Sequence, residues 1–181
     1  MLEKRRILNI FVDRLVENGS QAIVCRGSED LYRNLELVMD RVGLEPAAFY
    51  PREVLRSLPE NIINRLNHVE DGMNFGEIAR FRMAVTGVDY AVAESGSLVI
   101  FTESVAERLV TCFPEAYLGV VWAGRILPSL IDLNEIIANG VANGKTVSII
   151  SGPSRTLDVE QTYVRGVHGP DKVIALIVVE E

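Results

Sequence analysis

The chain has 181 residues, 48% hydrophobic and 24% charged, with a formal net charge of −7. That length suits one domain, and that balance excludes a long disordered chain. The acidic surplus argues against broad binding to a nucleic-acid backbone, which needs a basic face, but leaves room for a local basic pocket.

In chain order, Leu8, Phe11, Val12, Leu15 and Val16 recur at helical spacing, and Asn18-Gly19 ends that helix. Gln21 to Cys25 reads as a short strand. Gly27-Ser28 opens a second helix with Leu31, Leu35, Val38 and Val42 on one face and Gly43 at its end. Ala47 to Tyr50 reads as a strand, and Pro51 and Pro59 as first-turn prolines of short helices with Leu55, Leu58, Ile62 and Leu66 inward. A helix is predicted from Phe75 to Gly87, with Ile78, Phe81 and Val85 on one side. Residues 88–93 and 97–102 read as two strands joined by the tight turn Glu94-Ser95-Gly96. A helix over Glu103 to Cys112 follows, then a strand at Tyr117 to Trp122 and a helix opened by Pro128. A strand at Thr146 to Ile150, a polar helix from Arg155 to Tyr163 and a strand at Val173 to Val179 complete the series.

Strands alternating with helices predict an α/β fold, a mixed, mostly parallel sheet flanked by helices. The hairpin at 94–96 argues against a purely parallel sheet. The expected organisation is a single domain over 1–181, with a more helical part over 1–74 and a core over 75–181.

Several function classes lose support. The charged start Met1 to Ile7 is followed by no uninterrupted apolar region, and no run reaches the length of a membrane span. A cytoplasmic location without a membrane span is the expectation. The two cysteines, Cys25 and Cys112, are too few to hold an iron–sulfur cluster by themselves and read as small buried hydrophobes. No set of His, Cys, Asp and Glu has metal-ligand spacing, so no metal is expected. P-loop, dinucleotide-binding and nucleophile-elbow motifs are absent from the sequence.

Open α/β sheets place ligands beyond strand ends. Three loops there are rich in small, hydrogen-bonding residues: Glu94-Ser95-Gly96-Ser97, Ala123-Gly124-Arg125, and Ser151-Gly152-Pro153-Ser154-Arg155-Thr156. In the last, Gly152 permits close backbone approach, Ser154 or Thr156 can cap the following helix, and Arg155 can grip a carboxylate or phosphate. On composition alone it is equally an N-capped helix with a surface arginine, where Asp158 and Glu160 favour the first turn. Glu94 is a candidate general base, nucleophile or ligand anchor, and otherwise an exposed turn residue. Ser95, Gly96 and Ser97 are candidate ligand contacts or turn formers. His168, framed in Gly166-Val167-His168-Gly169-Pro170, is a candidate anion binder or proton relay, and otherwise ties down a turn. His68 reads as solvated.

The stretches TGVDYAVAESGSLVI (86–100), SGPSRTLDVEQTYVRGVHGP (151–170) and DKVIALIVVE (171–180) resemble the lactate-utilization protein C family, the LUD-domain proteins, from about residue 75 to the end. E-S-G-S stands where that family usually shows E-T-G-T, a change that keeps the hydroxyl. The resemblance implies a NagB/RpiA/CoA-transferase-like fold. It also implies a role in oxidising L-lactate to pyruvate beside iron–sulfur partner subunits, with this chain lacking the cluster. Within that role, Arg155, His168 and the Ser151–Thr156 backbone would hold a small anionic metabolite, lactate or a related acid, with Glu94 facing the same cleft. No cofactor is implied by any fingerprint. The alternatives are an independent CoA-transferase-like or nucleotide-dependent enzyme with Glu94 as nucleophile, and a metabolite-sensing regulatory protein.

Overall fold

The structure, a computed structural model, describes residues 2–50, 52–157, 163–165 and 169–180. Its main sheet has six strands: β1 (Gln21–Arg26), β2 (Ala47–Tyr50), β3 (Leu66–His68), β4 (Met83–Gly87), β7 (Ala116–Trp122) and β12 (Lys172–Val179). Their spatial order is β1-β12-β7-β4-β2-β3, and every pairing is parallel. A second sheet holds β5 (Tyr90–Val92), β6 (Ser97–Thr102), β8 (Ile126–Leu127) and β9 (Thr146–Ile150) in the order β8-β5-β6-β9. The expected mixed α/β architecture is therefore present, with one correction. The hairpin does not interrupt the parallel sheet; it is set apart in a second sheet, where β5 and β9 both run antiparallel to β6.

Parallel strands covered on both faces need apolar side chains on both faces. β12 shows this: Val173, Ala175 and Ile177 join one buried cluster, and Ile174, Leu176 and Val178 join the other. The first cluster includes Phe11 and Leu15 of α1 (Leu2–Glu17), Val110 of α5 (Val105–Cys112), and Leu98 and Ile100 of β6. The second includes Leu31, Leu35, Val38 and Met39 of α2 (Gly27–Val42). A third, smaller cluster packs Val92, Val99 and Phe101 of the second sheet against Leu133 of α6 (Leu130–Ala142).

Two predicted helices are corrected. The helix expected over Phe75 to Gly87 stops at Ile78, and Met83–Gly87 forms strand β4, buried throughout. Ile78, Phe81 and Val85 fit helical spacing by coincidence, and a continuous apolar run carries no period of its own. The polar helix expected from Arg155 is instead a two-stranded antiparallel ribbon, β10 (Arg155–Leu157) with β11 (Tyr163–Arg165). Thr156, Tyr163 and Val164 are strand-forming residue types. The more helical part, 1–74, holds the expected strands β1 and β2 and also β3, which the spacing of Leu55, Leu58, Ile62 and Leu66 does not reveal. Pro51 lies outside the described residues.

Candidate functional site

Strand direction separates the three loops. Asn18, just before β1, contacts both Ser95 and Gly152, so β5 and β9, each antiparallel to β6, end at the amino edge of the parallel strands. The turn after β5 and the loop after β9 therefore meet there, beside the C-terminal end of α1. Ser97 Oγ lies 2.7 Å from Ser95 Oγ and 2.7 Å from Ser151 Oγ, a continuous chain of three hydroxyls. Asn18 donates from Nδ2 to the Ser95 carbonyl at 2.8 Å. Gly96, at φ +61°, passes so close to α1 that a Cβ there would stand 2.5 Å from Leu15 N. Gly152, at φ +123°, would place a Cβ 2.6 Å from the Asn18 carbonyl oxygen. Ser154 N–H donates to the Pro170 carbonyl at 2.9 Å, closing the signature stretch on itself beside Gly169.

The structure thus joins Ser95, Ser97 and Ser151 and seats Gly96 and Gly152. Glu94 turns elsewhere. Its Oε2 accepts from Leu130 N–H at 3.0 Å, satisfying a free donor at the start of α6, where Asp132 accepts from Ser129 N–H at 3.0 Å. With a strand beginning at Arg155, no helix N-terminus follows Ser151-Gly152-Pro153-Ser154 to supply the anticipated positive dipole. Asp158, Glu160 and His168 lie outside the described residues, as do the side chains of Arg155 and Thr156.

The third loop lies at the opposite, carboxyl edge, where open parallel sheets hold ligands. A cleft of about 350 Å³ opens there beyond the adjacent strands β2, β4 and β7. It is lined by Arg52 and Arg56 after β2, Asp89 and Tyr90 after β4, and Trp122 and Arg125 at the end of β7. Arg52 is held firmly: its Nη2 donates to both the Glu107 carboxylate and the Phe101 carbonyl, and its guanidinium carbon sits 5.4 Å from the Tyr50 ring centroid. Its stem lies on Gly87, where a Cβ would meet Arg52 Cβ at 2.2 Å, so only glycine fits there. Its Nε is buried without a partner among the described residues. Glu107 is 2% exposed, and burial pushes its carboxyl above the usual carboxylate range despite Arg52. Asp89 accepts from Phe101 N–H at 2.8 Å.

Arg125 sits on an exposed 3-10 turn, its guanidinium carbon 5.4 Å over the Tyr90 ring and its Nη1 donating to the Tyr90 hydroxyl at 3.2 Å. Among the described residues neither Arg56 nor Arg125 forms an ion pair. The cleft can therefore offer guanidinium donors to an anion in forked geometry. Sequence reasoning had marked Arg125 and missed Arg52, Arg56, Asp89, Tyr90 and Trp122. The available signal was a pair of arginines four apart directly after the strand Ala47–Tyr50. Among the described residues, no three of His, Cys, Asp and Glu gather to hold a metal, and no helix is long and apolar enough to cross a membrane.

Comparison with known proteins places these features in context. Residues 7–178 match the model of the LUD domain. Lactate utilization protein C 1 of Bacillus mycoides is 33% identical over 117 residues, covering 62% of this chain and 49% of that protein. Lactate utilization protein C of Bacillus subtilis is 33% identical over 109 residues, covering 58% and 45%. The matches span about half the length of these curated relatives. A crystal structure of a DUF162 family protein from Deinococcus radiodurans superposes with a TM-score of 0.74 at 21% identity, over 97% of this chain and 98% of that one, a likeness of fold.

Proposed function

The chain belongs to the LUD domain family, and on that footing we propose that it is a component of an L-lactate utilization system that holds a small carboxylate in the cleft at the carboxyl edge. The observation that supports this reading is the convergence of Arg52, Arg56 and Arg125 beyond three adjacent parallel strands. Arg52, fixed by Glu107 and Phe101, sets the floor, while Arg56 and Arg125, outside ion pairs, supply the grip. When lactate becomes pyruvate it releases two electrons and two protons; in this scheme iron–sulfur partner subunits take the electrons, the protons pass to solvent, and this chain binds and orients the acid.

Calorimetric titration of lactate and pyruvate against the wild-type protein and Arg125→Ala tests the proposal. The expected result is affinity at least about tenfold weaker in the variant, the loss of one charge-assisted contact. Equal binding by both removes the cleft from the reading. Turnover by the reconstituted system that survives Arg125→Ala unchanged would instead favour a sensing role.

A further inference from the structure

We infer that the carboxyl-edge cleft takes a single anionic group carried on a flat ring, rather than a three-carbon acid alone. The inference rests on the cleft being an anion site and adds the ligand's shape. Its space, about 350 Å³, lies at the lower end of small-molecule sites, which run roughly 300–1,000 Å³.

The lining carries flat side chains. Trp122 is half-buried, one part of it packed against the cluster containing Leu31 and Val178 and the rest lining the cleft. In the same lining, the Arg125 guanidinium lies over the Tyr90 ring and adds a second flat group. Flat π and guanidinium surfaces favour aromatic ligands over aliphatic ones of equal charge.

The charge fits one anion. Arg52 is committed to Glu107, and the acids Glu53 and Asp89 share the lining with Arg56 and Arg125. With two carboxylates beside these two guanidiniums, the lining has no surplus positive charge to offset a polyphosphate, and a single anion is left to the direct grip of Arg56 and Arg125.

Trp122 is the only tryptophan in the chain, so its fluorescence reports occupancy directly. The experiment titrates nicotinate, nicotinamide, lactate and ATP against the full chain, by fluorescence and by calorimetry. It is repeated by calorimetry on Trp122→Leu, which keeps the apolar contact with the core, and on Arg125→Ala. The expected result is nicotinate binding at least about tenfold more tightly than lactate, nicotinamide or ATP. Trp122→Leu should cost nicotinate about tenfold and change lactate less than about twofold, while Arg125→Ala weakens both acids. Lactate binding as tightly as nicotinate, or Trp122→Leu affecting the two equally, overturns the ring. ATP binding more tightly than nicotinate overturns the single anion. Lactate binding without nicotinate sinks this inference alone; failure of both acids takes the underlying anion site with it.

Discussion

The hydroxyls of Ser97 and Ser151 meet at 2.7 Å although 54 positions separate them in the chain. The antiparallel register of Leu98 with Ile150 brings the first residue of β6 level with the residue that follows β9. Ser97 is 1% exposed and also contacts Ser95, so it is the centre of the chain of hydroxyls. Ser97→Ala is expected to cost about 1–2 kcal/mol of unfolding free energy, because it removes the shared partner of two hydroxyls in a buried setting. Ser151→Ala, at an exposed position, should cost less. Urea denaturation of the two variants ranks them, and the opposite order would contradict the bridging role.

Gly96 and Gly152 predict a sharper effect. Each combines a positive φ with backbone of the α1 end closer than any Cβ tolerates. Gly96→Ala and Gly152→Ala should each destabilise by about 2–4 kcal/mol, through strain and displacement of α1. Gly72→Ala, with nothing within 4 Å of its added Cβ, should stay within about 0.5 kcal/mol. Thermal melting of the three proteins provides the comparison.

Glu107 sets a pH dependence. Its carboxyl is held above the usual carboxylate range by burial, so the folded state binds its proton more tightly than the unfolded state. Its contribution is complete below the unfolded value near 4.5 and is lost as pH climbs through the raised folded value. Denaturant unfolding measured across that window should show wild-type stability falling relative to Glu107→Gln as pH rises. Glu107→Ala should cost about 3–5 kcal/mol near neutrality, since it strands the Arg52 guanidinium.

The cysteines differ in reach. Cys25 is 0% exposed, and burial pushes its thiol up to about 11; Cys112 stands at the exposed end of α5, with its thiol also raised by its surroundings. A thiol reagent is expected to modify only Cys112 in the folded protein, slowly at neutral pH, and both residues after denaturation. Modification of Cys25 at the same rate as Cys112 would contradict the packing around β1.

Much of the fold was legible because local pattern and tertiary role agree. Strands β6 and β9 fall at their expected bounds, Ser97–Thr102 and Thr146–Ile150, and Gly43 ends α2 in the left-handed conformation that glycine favours. β4 was hidden because a strand buried on both faces has no alternation to read, and β3 because three residues carry too little pattern. The candidate site was legible only in pieces. Arg125 stood out beside Gly124, but its companions come from 52–56 and 88–90, and only the strand order β7-β4-β2 makes them neighbours. That order arises from long-range pairing, which a local window does not encode. The same limit placed the loops after β5 and β9 with the loop after β7: all three follow strands, and only strand direction shows that they face opposite edges.

One strand spans both edges. β6 begins at Ser97 in the chain of hydroxyls and reaches Phe101, whose carbonyl receives Arg52 and whose N–H donates to Asp89. Its six residues are buried throughout and extend about 20 Å at roughly 3.3 Å per residue. β6 is thus a strut of fixed length between the signature turn and the arginine cleft. The E-S-G-S turn and the carbonyl that receives Arg52 lie at opposite ends of one buried strand, and a substitution in the turn is expected to reach a guanidinium it never touches.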